Sequence, residues 1–170
     1  EWDAGSQRDF ITTIAEEADK LHELVEPLLD ASRLQSRRLQ INLSPCHVDD
    51  VLDIARAQLE TLAADHDLRL EIAPGLPEFD ADARRIAQVI ANLVSNSVKH
   101  SPPGSPITIS AHTASDVIQV EVIDRGKGIP EEARERVFSA FQQLGDESTE
   151  GAGLGLAICK GLVEAHGGRI

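Results

Sequence analysis

A chain of 170 residues with a formal net charge of −13 fits one domain, or one domain with a short appendage, and is long enough to bury a core without covalent staples. Its acidity argues against nonspecific binding to nucleic acid or anionic lipid, so any polyphosphate must be held by local devices against the overall field. Cys46 and Cys159 stand far apart and outside any Cys-x-x-Cys pair, which suits a reducing compartment, argues against a disulfide framework and leaves Cys46 and His47 short of a zinc ligand set. No apolar run reaches the ~20 residues of a membrane span, and no signal peptide opens the sequence. Glu1-Trp2 begins without a methionine, and Gly167 to Ile170 reads as a strand cut short.

Ile11, Ile14, Ala18, Leu21, Val25 and Leu28 recur at alternating spacings of three and four. The spacing predicts one long amphipathic helix over about 7–37 with a heptad-like seam, kinked at Pro27. Residues 39–43 alternate like a strand, and Ser44-Pro45 marks the start of the globular part. A helix from Asp49 or Asp50 to about Ala64 follows, then a short strand over 68–72 closed by Pro74-Gly75-Leu76-Pro77. Asp82 caps a helix with Ile86, Val89, Ile90, Leu93 and Val94 on its buried side, ending near His100. Beyond the turn at 101–104, residues 107–111 and 117–123 read as a hairpin. Pro130 sets the first turn of a short helix to about Phe138. The segment 142–152 is polar and aperiodic, and a last helix runs from about Leu154 to Ala165, stopping at Gly167-Gly168. Helices and strands are mixed rather than strictly alternating, so the class is α+β with one sheet under a helical layer.

Asn92 and Asn96 stand four apart on one of these helices, followed by Lys99 and His100, so both carboxamides share a helix face. On an apolar helix such groups need their hydrogen-bonding demand met. A hydrated metal bound to phosphates, with Lys99 as a point charge, would meet it; solvated or capping amides are the alternative. Asp124 directly follows a strand, and Gly126 and Gly128 after it permit close approach of backbone to a ligand. That carboxylate could accept from an exocyclic amine such as adenine N6, or the segment could be a plain turn. Phe138 and Phe141 stand just before the polar segment, either as lid anchors or as core. Gly151, Gly153, Leu154 and Gly155 open the last helix. Free N–H groups and the helix dipole make such an opening an anion-binding device, although it is neither a P-loop nor a strand-attached dinucleotide fingerprint, and a hinge is the other reading.

In this order, Asn-x-x-x-Asn, Asp-x-Gly-x-Gly, Phe-x-x-Phe and Gly-x-Gly-x-Gly resemble the N, G1, F and G2 boxes of the ATP-binding domain of sensor histidine kinases, within the wider GHKL group shared with gyrase, Hsp90 and MutL. The resemblance runs over about 39–170. The leading helix, ending Leu28-Leu29-Asp30-Ala31-Ser32-Arg33-Leu34, looks like the second helix of the kinase dimerisation hairpin. Trp2, that helix and Phe141-Gln142-Gln143-Leu144-Gly145-Asp146 are most similar to Kdp-type potassium-responsive kinases.

The resemblance implies a two-layer α/β sandwich of the Bergerat type, a mixed sheet of about five strands against three helices, preceded by one long amphipathic helix. Residues 1–38 would be part of the phosphoacceptor hairpin, and 39–170 the catalytic domain. It implies an ATP:protein-histidine phosphotransferase of a two-component system, with ATP and Mg²⁺. By similarity, Asn96 would coordinate Mg²⁺, Asn92 would support metal and phosphates, Lys99 would contact the phosphates and His100 could touch the nucleotide. Asp124 would read adenine N6 in a pocket shaped by Gly126 and Gly128. Gly151, Gly153 and Gly155, with Leu154 among them, would bring backbone donors to the phosphates beside a lid flanked by Phe138 and Phe141. Catalysis of this kind is mainly positioning and charge neutralisation. The implied partners are the hairpin of the protein's own dimer, joined through the first helix, and a response regulator, with no nucleic acid. The implied location is the cytoplasmic side of a bacterial inner-membrane sensor, with this portion itself not inserted.

Three departures qualify that picture. His22, with Glu23 and Pro27 after it, superficially matches the acceptor pattern. The acceptor, however, belongs on the first hairpin helix, and from His22 to residue 39 there is room for one helix only, so His22 reads as a decoy and the fragment is not expected to autophosphorylate. Between Phe138 and Gly155 there is no lysine or arginine, while Asp146, Glu147 and Glu150 are acidic; the repulsion is modest and salt-screened. Ala152 stands where a threonine is common in the family. Two competing readings are an anti-sigma-type protein serine kinase, which shares the boxes but lacks the leading helix, and a nucleotide-poor interaction or regulatory module.

Overall fold

Asp82 fixes where the central helix begins. Its Oδ1 accepts the Arg85 backbone N–H at 3.2 Å, one of the N–H groups that a helix start otherwise leaves unpaired. The computed structural model describes residues 10–14, 17, 25, 29, 32, 40–140 and 153–170. From residue 40 onward the elements are β1 (Ser44–Cys46), α1 (Val48–Leu62), β2 (Asp67–Ile72), β3 (Phe79–Ala81), α2 (Ala83–His100), β4 (Pro106–Ala114) and β5 (Val117–Ile123), then two 3₁₀ turns (Glu131–Ala133 and Arg136–Phe138) and α3 (Gly155–Ala165). The architecture is the expected α+β class, a mixed sheet under helices.

The described residues before 40 are helical. Ile11, Ile14 and Val25 of the predicted seam are 67%, 56% and 49% exposed, so their apolar stripe is uncovered in the single chain. Ala18, Leu21, Leu28, Pro27 and His22 lie outside the described residues. Among the described residues no helix is long and apolar enough to cross a membrane.

Several elements differ from the sequence expectation. Residues 40–43 form no strand; the Asn42 N–H donates instead to Asp82 Oδ2 at 3.1 Å, and pairing starts only at Ser44 opposite Ala81. Helix α1 begins at Val48 rather than at an aspartate. Asp50 is its N3 residue, and its carboxylate reaches back to the His47 N–H at 2.8 Å, so the acid supports the cap from inside the first turn. The short helix expected from Pro130 is two 3₁₀ turns closed by Ala133 N–H to Pro130 O and Ser139 N–H to Arg136 O, both at 2.9 Å. A segment this short does not repay α-helix nucleation.

The five strands form two ladders rather than one sheet: β1 and β3 pair antiparallel, while β2-β4-β5 is a mixed sheet with β2 parallel to β4 and β4 antiparallel to β5. The strand expected at 167–170 does not form. Gly167 takes φ +75, and the N–H groups of Gly167 and Gly168 return to Glu164 and Val163, a Schellman closure of α3.

Helix α2 is the wall between two cores. On one side Ala87, Ile90, Ala91 and Val94 pack with Val51, Leu52, Ala55 and Leu59 of α1 and with Ile109 and Ala111 of β4. On another, Val89 and Leu93 pack with Leu154, Ile158, Cys159 and Leu162 at α3. Asp82 ties the corner where these cores meet the entering chain. Its own N–H donates to His166 Nε2 at 3.0 Å, so Nε2 is the acceptor nitrogen and Nδ1 carries the proton it gives to Leu162 O at 2.7 Å.

Replacing Asp82 by alanine removes the helix cap and the Asn42 bond together. Asp82→Ala should lower stability by about 2 kcal/mol, while Asp82→Asn, which still caps, should cost about half as much. Urea denaturation checks this, since the midpoint should fall at unchanged slope.

Candidate functional site

The face of α2 that neither core claims carries Asn92 and Asn96, both half-buried and one turn apart. Asn92 is engaged from α3. The Cys159 thiol is fully buried, donates to the Val89 carbonyl at 3.8 Å and lies beside the Asn92 side chain. Burial pushes this thiol up to about 12, with the neighbouring Asn92 side chain acting the other way. Asn92 therefore spans the α2–α3 junction, and Asn96 sits one turn nearer the helix C-terminus. Lys99 and His100 follow on the last turn, both exposed.

That C-terminal end is where the loop after β5 crosses. A Cβ on Gly126 would lie 2.6 Å from the His100 carbonyl oxygen, a backbone atom that cannot step aside. Only a residue without a side chain lets the loop pass here. Asp124 stands at the same crossing. Its Oδ1 accepts the Gly126 N–H at 2.8 Å and its Oδ2 accepts the Ser97 hydroxyl at 3.2 Å, while the residue stays exposed. Gly128 has φ +71 with open space around it, so there glycine supplies conformation rather than clearance.

Helix α3 begins at Gly155, after Gly153 at φ +66. Its N-cap residue is Leu154, which makes no side-chain capping bond. The first-turn N–H groups therefore lack the usual side-chain acceptor, a geometry suited to an anion. The Leu154 side chain itself is 2% exposed and packs in the second core, so any ligand contact from this residue comes from its backbone. Phe138 is half-buried in the second 3₁₀ turn, against which α3 packs. Phe141 and Gly151, together with the acidic segment and Ala152, lie outside the described residues.

The fold thus gathers Asn92, Asn96, Lys99 and His100 on α2, with Asp124 and Gly126 against that helix's end. Ser97 is the partner that the motif pattern does not reveal. The available signal was a serine inside a helix next to Asn96, an ordinary residue in an ordinary place. Among the described residues no group of three or more His, Cys, Asp or Glu could hold a metal ion. A cation here would rest on carboxamide oxygens and on a ligand's own oxygens. A separate groove at the start of α1, lined by His47, Val48, Asp49 and the turn after β2, shares no residue with this site.

A mixed sheet under helices, with an asparagine pair, a strand-end aspartate on glycine turns and a glycine-led helix start, defines a nucleotide-site class of domain. The chain belongs to the histidine kinase-, DNA gyrase B- and HSP90-like ATPases, whose family model matches residues 81–170. It is 36% identical over 166 residues to the alginate biosynthesis sensor protein KinB of Pseudomonas aeruginosa, covering 96% of this chain and 28% of that protein. It is 33% identical over 171 residues to the sensor protein KdpD of Clostridium acetobutylicum, covering 99% and 19%. The chain thus spans under a third of the length of these curated relatives, and the likeness to KdpD stands beside a slightly higher one to KinB. Among solved structures, full-length ShkA in complex with AMPPNP superimposes with a TM-score of 0.80 at 29% identity, covering 98% of this chain and 35% of that one.

Two outcomes follow from this geometry. Gly126→Ala should force the loop off the helix end and lower stability by about 1–3 kcal/mol, visible as a drop in Tm. The Cys159 thiol is raised from 9.0 to about 12, so its contribution is complete below about pH 9 and is lost as pH rises toward 12. The urea midpoint of the wild type should therefore fall more steeply above pH 9 than that of Cys159→Ala.

Proposed function

We propose that this chain is the ATP-binding catalytic domain of a two-component sensor histidine kinase, residues 39–170, preceded by part of the dimerisation hairpin in residues 1–38. One observation carries the reading: Asp124, in the loop after β5, is hydrogen-bonded to Ser97 of α2, which holds that carboxylate against the helix that carries the Asn92–Asn96 pair. The likeness to sensor kinases, and to ShkA, which was solved with an ATP analogue, supports it. Those relatives, together with the helical residues ahead of the domain, favour it over an anti-sigma-type serine kinase.

In this reading Asp124 accepts a hydrogen bond from adenine N6, and Gly126 and Gly128 bring the loop backbone close enough for the base to lie against it. Carboxamide oxygens are hard, neutral donors of the kind that suits Mg²⁺, so the residues present fit that ion. Asn96 holds it. Asn92, beside Cys159, steadies it and the phosphates. When bound, Mg²⁺ supplies charge neutralisation along the polyphosphate. Lys99 adds a point charge, His100 borders the nucleotide, and the Gly151, Gly153 and Gly155 backbone with the start of α3 receives the phosphates. In sequence, Phe138 and Phe141 stand just ahead of the acidic stretch that the family likeness would make a lid.

The acceptor is a histidine on the first helix of the hairpin rather than His22. The exposed seam at Ile11, Ile14 and Val25 is the surface through which two chains join. A response regulator takes the phosphoryl group onward, and the domain works on the cytoplasmic side of a bacterial inner-membrane sensor.

Titration calorimetry with an ATP analogue tests the site. Asn96→Ala should weaken Mg²⁺–nucleotide binding at least about tenfold, the cost of one charge-assisted contact, and have little effect when EDTA is present. Equal affinity of variant and wild type with Mg²⁺ would remove Asn96 from the metal site.

A further inference from the structure

We infer that Ser97 is a positioning residue for base recognition: its hydroxyl orients Asp124 so that the site prefers adenine to bases presenting a carbonyl at the same place. The inference rests on Asp124 reading the base, as proposed above.

Ser97 is 4% exposed and is the one buried polar or charged side chain among the described residues. A buried hydroxyl is costly unless it is paired, and this one is paired with Asp124, 27 positions away, through a hydrogen bond of 3.2 Å to Oδ2. The other oxygen is held independently, by the Gly126 N–H at 2.8 Å. One donor comes from helix α2 and one from the loop. With a separate donor on each oxygen, the carboxylate cannot rotate about its last bond without giving up one of them.

The loop donor is itself registered on α2, because Gly126 lies against the His100 carbonyl. Both restraints on the carboxylate thus refer to the same helix. Asp124 remains exposed, and each oxygen keeps a further lone pair after accepting once. What the pair presents outward is a fixed acceptor. It complements the exocyclic amine of adenine and repels the 6-oxo group of hypoxanthine or guanine, so discrimination rests on a repulsive element as well as an attractive one.

Removing the Ser97 hydroxyl leaves Asp124 hinged on the Gly126 bond alone. The loss then falls on base choice and leaves phosphate binding untouched, which a purely structural role would not do. Binding of ATP and of inosine triphosphate, both with Mg²⁺, is measured by calorimetry on the wild-type chain, Ser97→Ala and Asp124→Asn. Ser97→Ala changes one atom in a helix interior where alanine is favourable, and its urea midpoint reports that it folds.

The expected result is that Ser97→Ala weakens ATP about tenfold, as for a lost bond to a charged group, while inosine triphosphate binding stays within about twofold, so the preference collapses. Equal loss for both nucleotides, or no loss for either, would overturn the role of Ser97. If Asp124→Asn abolishes the preference and Ser97→Ala does not, only the Ser97 inference fails. If Asp124→Asn leaves the preference intact, or the wild type binds neither nucleotide, base reading by Asp124 fails and the inference falls with it.

Discussion

Helix α2 has to bury two different faces at once, and the rest of the molecule follows from that requirement. Ile90 and Val94 belong to the core shared with α1 and the sheet, while Val89 belongs to the core shared with α3. Fully buried aliphatic side chains are worth about 1.5–3 kcal/mol each, more than the ~1 kcal/mol of a cap or of a neutral hydrogen bond. The apolar faces therefore set the rotation of the helix about its axis, and the polar residues take what is left. What is left is a single stripe carrying Asn92 and Asn96. Their position is a consequence of packing as much as of chemistry, because turning the helix by one residue would carry Asn92 into the place of Ala91 or Leu93 in one of the two cores.

The remaining groups of the site are placed by reference to this helix rather than by their own elements. Asp124 belongs to the end of β5, yet its carboxylate is oriented by Ser97 of α2 and by a loop that rests on the α2 terminus. Asn92 belongs to α2, yet its side chain meets Cys159 of α3. Short polar contacts across element boundaries thus convert a general α+β scaffold into one with a defined set of donors and acceptors.

Much of this was legible in the sequence because it depends on uncommon residue choices. The asparagine spacing, the strand-end aspartate and the glycines at 126, 128 and 153 all stand where the structure needs a carboxamide, an acceptor, clearance or a positive φ. Asp82 was readable as a cap for the same reason. The parts that were not readable depend on distant partners. Residues 39–43 alternate as a strand would, but the pattern cannot show that the Asn42 N–H is taken by Asp82, 40 positions away. Strand β3 is three residues long, too short for any period, so the sequence shows no strand there and no β1–β3 ladder. Ser97 gave no signal because its importance lies wholly in Asp124, and Cys159 gave none because its partner is on another helix. Leu154 sits inside a glycine motif, yet its side chain answers to the core.

The junction at Asp82 has a further consequence. The chain enters the domain at Asn42, bonded to the Asp82 carboxylate, and passes beyond α3 at His166, bonded to the Asp82 backbone. Residues 40 positions before and 84 positions after Asp82 therefore meet at one corner, joined through a single residue. Movement of that one residue would therefore be felt by the segment ahead of β1 and by the end of α3 at the same time, since each is hydrogen-bonded to it.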